Sequence, residues 1–390
     1  MRFTSLRITN WRNFRSAEVP LRPRTFIVGP NASGKSNLLD AFRFLKEIAE
    51  RGGTLYGAIE RRGGIKAIRS LHAREKTDVE LEATVSAGDG TEWKYTLVVG
   101  QMSRDNAVPV VRREEIAHFA GLALSSERRD ASMEDTDERG QTWLENKSKK
   151  AFRELAQFFA SIEYSHVVPQ VVREQRRAPN AGRQQDPYGA DLIEDMARTP
   201  DRERRRRLTA INDALGGILP QFKKLRIEQD KVGRPHLLAG YKHWRGPLAK
   251  QDEAQFSDGT LRLIGLLWML SKPGGPVLLE EPEISLHDRA VKALPTIIHR
   301  VAARNDRQVL VSTHSEAMLN DEGIEPREVV VLRTTDEDTQ VKQGSAFDLL
   351  VQLAAQGRSF GAELAALTAP PDPEQLLLFG EGSDADIHRG

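Results

Sequence analysis

The sequence predicts an α/β fold built on a phosphate-binding strand–loop–helix unit, with a β-rich N-terminal lobe and a helical insertion. Three observations predict it. Arg24-Thr-Phe-Ile-Val28 is an apolar run, and the eight residues from Gly29 to Ser36 that follow satisfy GxxxxGK[ST]. Pro276 to Leu279 is a second apolar run, ending in Glu280-Glu281-Pro282-Glu283. Gln308 to Thr313 is a third, ending at His314-Ser315. Apolar strands that deliver polar groups at their C-terminal ends place them where open α/β sheets bind ligands.

The remaining elements follow in order. Phe3, Leu6 and Ile8 lie in an extended stretch, so the first 30 residues read as short strands. Ser36 to Arg51 reads as a helix, because Leu38, Leu39, Phe42, Leu45 and Ile48 recur at three- and four-residue spacing until Gly52-Gly53 stops it. Val79–Val85 and Trp93–Val99 alternate on either side of Ala87-Gly88-Asp89-Gly90, as a hairpin with one solvated face would. Residues 120–150 are polar and include the acidic stretch Glu134 to Glu138, which predicts a loop or mobile helix. Ala151–Ile162 reads as a helix, Glu163–Val168 as a strand ending at Pro169, and Arg176–Tyr188 as a breaker-rich loop. Ala190–Leu219 is mostly helical and Lys224–Gln229 strand-like. An α/β pattern covers 255–333, helix covers about 346–368, and a Pro- and acid-containing tail reads as mobile. The expected division is 1–115 and 226–340 for the two parts of the core, 116–225 for the insertion, and 341–390 for a terminal helix and tail.

Composition narrows the function. The 390 residues contain no Cys, which excludes thiolate metal sites and disulfide frameworks. Lys+Arg number 57 and Asp+Glu 56, so the chain is not a uniformly cationic nucleic-acid coat. No apolar run approaches the roughly 18 residues that cross a bilayer, and MRFTSLRITNWRNFR lacks a signal-peptide core. A cytoplasmic protein without a membrane partner is expected.

The phosphate loop comprises Gly29, Pro30, Asn31, Ala32, Ser33, Gly34, Lys35 and Ser36, with Asn37 after it. Its glycines let backbone N–H groups curl around phosphate oxygens, and the helix start adds partial positive charge. Lys35 is expected to reach the β- and γ-phosphates and the Ser36 hydroxyl to bind Mg²⁺, so ATP and Mg²⁺ are the expected cofactors. A chance match in a chain this long arises in about 1–2% of cases. Glu280 is expected to hold Mg²⁺, and Glu281 to take the proton of the attacking water. An ordinary acidic turn is the plainer alternative. His314 is expected to hydrogen-bond the γ-phosphate or that water, against the alternative of a structural histidine. Ser257-Asp258-Gly259-Thr260 opens a Leu-rich helix, with Ser257 and Gly259 offering another anion site.

These pieces, in this order, resemble the ABC-type ATPases of the SMC and RecF kind, and most of all the compact OLD-like group of bacterial antiphage ATPases. Trp11-Arg12-Asn13-Phe14 is similar to that group's aromatic-Arg-Asn-aromatic step. SDGTLRLIGLL (257–267) resembles its signature, LLEEPEISLH (278–287) its acidic strand and STHS (312–315) its switch histidine. The resemblance implies an ABC-type P-loop core and a homodimer or higher homo-oligomer. Two chains would sandwich ATP, the loop of one facing Ser257 and Gly259 of the other. It implies Arg12 near the γ-phosphate or the signature, Asp288 near the partner's site, and Gln170 as the glutamine-loop metal ligand. SDGT departs from the transporter LSGGQ, and Glu280 stands where the wider class usually has Asp.

Between Val171 and Leu208 there are 10 Arg and 7 acidic residues, peaking in RERRRR at 202–207. Nucleic-acid contact through Arg173–Arg207 is one reading, and an internally balanced solvated helix the other. The OLD nucleases carry a Toprim domain for which the last 55 or so residues are too few. The expected function is therefore an ATP-driven switch of a nucleic-acid-processing or antiphage complex, acting with a separate nuclease or effector. The alternatives are an ATP-held non-catalytic scaffold, a RecF-type repair ATPase and a transport ATPase. Glu374 to Phe379 is a candidate docking segment.

Overall fold

The computed structural model describes residues 1–71, 73, 77–102, 107–120, 123–130, 140–146, 150–174, 186, 188–242, 246, 248–335 and 337–369. The expected tail, its Glu374–Phe379 segment, the acidic stretch 134–138 and most of loop 176–188 lie outside them.

Along the chain, strands β1 (Arg2–Trp11), β2 (Phe14–Pro20) and β3 (Arg24–Val28) precede helix α1 (Lys35–Ala49) and the short helices α2 (Leu55–Glu60) and α3 (Ile65–Ile68). Strands β4 (Val79–Ser86), β5 (Glu92–Gln101), β6 (Pro109–Ala120) and β7 (Ala123–Asp130) follow, then α4 (Trp143–Asn146) and α5 (Lys150–Ala160). Next come β8 (Glu163–Ser165), α6 (Pro169–Arg173), α7 (Leu192–Arg198), α8 (Asp201–Leu215), and strands β9 (Phe222–Gln229), β10 (Pro235–Tyr241) and β11 (Ala249–Asp252). The last section runs α9 (Asp258–Ser271), β12 (Val277–Glu280), α10 (Asp288–Arg304), β13 (Val309–Thr313), α11 (Glu316–Leu319), β14 (Val329–Thr334), β15 (Thr339–Gln343), α12 (Asp348–Ala355) and α13 (Gly361–Leu367).

Three sheets result. The core sheet has the order β15-β14-β3-β13-β12-β8, with only β15 antiparallel to its neighbour. Its strands are apolar on both faces because both are covered. Ile27, Leu278, Leu310 and Val330 belong to one core cluster, shared with α1, α5 and the N-terminal strands. Their neighbours Phe26, Val28, Val277, Leu279, Val309, Val311, Val329 and Val331 belong to the other, shared with α9, α10 and α12. This is the period-two alternation of a strand read across two buried faces. Each fully buried Leu or Phe contributes about 1.5–3 kcal/mol, so the sheet is the rigid platform on which the site stands.

The second sheet, β2-β1-β4-β5-β6-β7, is antiparallel throughout and includes the expected β4–β5 hairpin in register Val79↔Val99 to Ser86↔Glu92. Two expectations are corrected here. Residues 123–130 are not irregular: they pair with β6 in register Ala120↔Ala123 to Arg113↔Asp130. The run SSERRD carries no apolar alternation, so its strand state comes from the neighbouring strand rather than from its own pattern. The expected boundary at 115/116 falls inside β6. Similarly β8, within the expected insertion, pairs with β12 through Leu278↔Tyr164 and belongs to the core sheet. The third sheet, β11-β10-β9, packs with α7 and α8. Its strands β10 and β11 carry no strand expectation, because Gly240 and the breaker-rich 230–248 mask them.

Candidate functional site

The phosphate-loop strand β3 lies beside β13, and β13 beside β12. The C-terminal ends of three adjacent parallel strands therefore carry the loop, His314 and the acids. Gly34 sits at φ +97° and Ala32 at φ +62°, so the loop turns through left-handed backbone before α1 begins at Lys35. A Cβ on Gly29 would stand 2.5 Å from Ser33 Oγ and 2.9 Å from the Leu332 carbonyl oxygen, so the loop lies tight against β14. Pro30 accepts from the Ser33 N–H at 3.2 Å, while Asn31 and Ala32 stand exposed at the tip. Lys35 is buried, and its Nζ donates to Gly29 O at 2.9 Å and Pro30 O at 3.1 Å. Burial pulls its ammonium below the ordinary lysine value, opposed by the negative charges of Glu281, Glu283 and Glu280.

The tetrapeptide at the end of β1 braces this loop from behind. Trp11 Nε1 donates to Asn37 O at 2.8 Å. Asn13 Nδ2 donates to Ser33 O at 3.0 Å and to Thr339 Oγ1 at 2.6 Å, and its Oδ1 accepts from Asn37 Nδ2 at 2.7 Å. Asn13 thus ties β1, the loop, α1 and β15 together. Arg12, at φ +50°, is placed against α1, where it donates to Asp40 Oδ2 at 3.0 Å. None of its hydrogen bonds among the described residues goes to the loop or to Ser257–Gly259. Burial alone would raise Asp40, but Arg62, Arg12 and Arg43 hold it below the usual carboxylate range. The sequence carried the Asn13 signal in the same four residues, yet pointed to the arginine.

The acidic strand meets the loop directly. Ser36 Oγ donates to Glu280 Oε1, and Tyr164 Oη on β8 donates to Glu280 Oε2. Burial, with the adjacent Glu280 charge, drives the Tyr164 phenol well above its ordinary value, so it stays a proton donor. A serine hydroxyl and one carboxylate are hard oxygen donors of the kind Mg²⁺ takes together with phosphate oxygens and water. Ser36 and Glu280 therefore fit a magnesium ion. Among the described residues no group of three or more His, Cys, Asp or Glu could hold a metal ion.

Glu281 has left-handed backbone at φ +43°, unusual for a residue with a side chain. Its N–H still bonds Ser312 O at 3.0 Å, so the chain leaves the sheet at this residue. Its Oε1 lies 3.3 Å from His314 Nδ1. Glu283 is buried, and its Oε1 accepts from Thr313 Oγ1 and, at 3.4 Å, from the His314 N–H. Burial pushes the Glu283 carboxyl up, against the Thr313 hydrogen bond. Glu283, which the sequence reading passed over, pins the turn that carries His314.

Ser257 caps α9, its Oγ accepting from the Thr260 N–H at 3.3 Å. A Cβ on Gly259 would lie 2.5 Å from Ser285 O, so the SDGT turn packs directly on the segment following the acids. Gln170 on α6 reaches this turn rather than the Ser36–Glu280 pair: its Nε2 donates to Asp258 Oδ2 at 3.2 Å, beside Arg173, which donates to Asp258 Oδ1 at 2.6 Å. Asp288 occupies the first turn of α10. The structure thus gathers Gly29–Asn37, Glu280, Glu281 and His314 at one sheet edge, and Ser257, Gly259 and Gln170 in a second group.

Solved structures share this architecture. An SMC head bound to the C-winged helix domain of ScpA matches with TM-score 0.54 and 14% identity, over 88% of this chain and 97% of that one. A Pyrococcus furiosus Smc head with an extended coiled coil matches with TM-score 0.52 and 13% identity, over 90% and 99%. The fold is that of an ABC-type P-loop ATPase. The chain is also similar to the DNA replication and repair protein RecF of Gloeobacter violaceus, 29% identical over 213 residues, 52% of each protein. Against the same-named protein of Chlamydia caviae it is 50% identical over 46 residues, 12% of each. The chain spans about half the length, or less, of the curated relatives it matches. The matched family covers residues 24–320, so Gly29–Asn37, Ser257, Glu280, Glu281 and His314 lie inside it: the chain belongs to the AAA ATPase family described as "AAA domain, putative AbiEii toxin, Type IV TA system".

Proposed function

We propose that this chain is an Mg²⁺-dependent ATPase of the ABC/SMC type that dimerises on ATP and switches a nucleic-acid-processing complex, in antiphage defence, with a separate nuclease or effector. The observation that carries the catalytic part is the meeting of Ser36 with Glu280 and of Glu281 with His314 at the phosphate-loop edge. Bound Mg²⁺-ATP supplies the γ-phosphoryl group to be transferred to water. The chain's residues do the rest. Loop N–H groups and Lys35 bind and orient the phosphates, and Ser36 with Glu280 holds the metal. Glu281 accepts the water's proton, and His314 fixes the orientation of Glu281. The defence role is supported by the OLD-like resemblance of the motifs at 11–14, 257–267, 278–287 and 312–315. The RecF similarity over 213 residues favours DNA repair as the second reading.

Dimerisation is supported by the placement of the signature turn: Ser257 bonds Thr260 within that turn, Gly259 packs on Ser285, and among the described residues no side-chain hydrogen bond of Ser257 goes to the loop of the same chain. Mixing tests it. A chain with Lys35→Ala and a chain with Ser257→Arg are each expected to be inactive. A head-to-tail dimer of one with the other holds one site with an intact loop and an intact signature. ATPase activity should return on mixing, to as much as half of wild type per mixed dimer. No recovery, with both variants folded, refutes the shared site.

Nucleic-acid contact rests on the exposed side of α8. Arg204, Arg205 and Arg207 pair with Asp201 or Glu203 of the same helix, and Arg207 is buried, stacking on Trp268. Arg202, Arg205 and Arg206 stand exposed. The triple change of these three to Glu should weaken DNA or RNA binding and reduce the slope of log affinity against log salt concentration by about 0.7–0.9 per lost phosphate contact, with ATPase activity kept. Unchanged salt dependence assigns the run to solvation alone.

A further inference from the structure

We propose that Tyr164 is a positioning residue for the metal-binding carboxylate Glu280, an inference that rests on the magnesium-dependent ATPase reading above. The two oxygens of Glu280 have separate duties. Oε1 faces the Ser36 hydroxyl at the start of α1, and Oε2 takes the hydrogen bond of the Tyr164 phenol. A carboxylate on a strand end can rotate about its last bond, and a second, fixed hydrogen bond removes that freedom. Tyr164 is itself fixed. It lies opposite Leu278 on the neighbouring strand, and the Arg43 guanidinium sits 4.4 Å above its ring. On the backbone side, His166 Nδ1 lies 3.3 Å from the Glu280 carbonyl oxygen. Arg43 belongs to α1, the helix that begins with Lys35 and Ser36. Helix, tyrosine and carboxylate therefore form a closed circuit around the place where Ser36 meets Glu280. Glu280 leaves one oxygen for the metal and keeps it aimed at the serine.

Fluorescent mant-ATP binding, titrated with Mg²⁺ and again in EDTA, tests this on the full chain. Loss of such an outer partner typically costs 10–100-fold in metal affinity. Tyr164→Phe removes only the hydroxyl, so the Mg²⁺ concentration giving half-maximal tightening should rise by about tenfold or more. Affinity in EDTA should stay within about twofold, which shows that the loop is intact. Arg43→Met, which frees the ring but keeps the hydroxyl, should move the midpoint the same way by a smaller factor. It also serves if Tyr164→Phe does not fold. A wild-type Mg²⁺ midpoint in both variants overturns the proposal and leaves the ATPase reading standing. Wild-type protein that binds mant-ATP equally in Mg²⁺ and EDTA overturns both.

Discussion

Replacing Glu281 by Gln is expected to leave ATP bound and lower its hydrolysis by about 10²–10⁴-fold, the range for loss of a positioned general base. The substitution keeps size and hydrogen-bonding capacity, so the left-handed turn at φ +43° and the Ser312 backbone bond should persist. What disappears is the acceptor for the water's proton, and with it the carboxylate 3.3 Å from His314 Nδ1. Glu280 and Ser36 still meet, so Mg²⁺ and nucleotide should bind normally. In the proposed ATP-bound dimer, nucleotide that binds but does not turn over would hold the two chains together. Size-exclusion chromatography with ATP should therefore show a long-lived dimer for Glu281→Gln and a transient one for wild type. Turnover within about threefold of wild type would remove Glu281 from the base position and favour the scaffold reading.

Residues whose chemistry is local were legible in the sequence, and residues whose role depends on a distant strand were not. Gly29 to Ser36 announces itself, because a tight turn between a buried strand and a helix demands glycine, lysine and serine at fixed spacing. Glu280, Glu281 and His314 follow from apolar strands ending in polar groups, and the parallel order β3-β13-β12 places all three together. Tyr164 carries no such mark. It lies in a three-residue strand whose neighbour, β12, is more than a hundred positions away, and only the register Leu278↔Tyr164 shows what it touches. Glu283 likewise reads as one more acid in EEPE, and its burial under Thr313 is a tertiary fact. Gln170 does not follow a strand end: β8 stops at Ser165, and Gln170 lies in α6, where its amide donates to Asp258 beside Arg173. The strand at 123–130 was hidden for a related reason: a charged edge strand takes its conformation from the ladder beside it.

Gly34→Ala should weaken nucleotide binding by about a hundredfold, and the reason separates into two parts that can be measured. The first is conformational, since a side chain at φ +97° costs about 1–2 kcal/mol. The second is contact, because the new Cβ would lie 2.2 Å from Asn13 Nδ2 and 2.7 Å from its Oδ1. Asn13 cannot retreat without breaking its bonds to Ser33, Asn37 and Thr339, worth about 1 kcal/mol each. The loop must therefore shift, and the N–H groups that would cradle phosphate shift with it. Together these terms reach at least about 3 kcal/mol, roughly a hundredfold in affinity. Gly52→Ala is the control: its φ is +75°, yet nothing lies within 4 Å of the added carbon, so only the conformational part applies. Asn13→Ala should itself weaken binding by loosening the loop. In the double variant Asn13→Ala/Gly34→Ala the colliding amide is gone, so its loss should fall short of the two single losses summed by 1 kcal/mol or more, about fivefold in affinity. Isothermal titration with ATP on the four proteins reads this cycle. Strictly additive losses would mean that Asn13 and Gly34 act independently, and that the brace from β1 does not shape the phosphate loop.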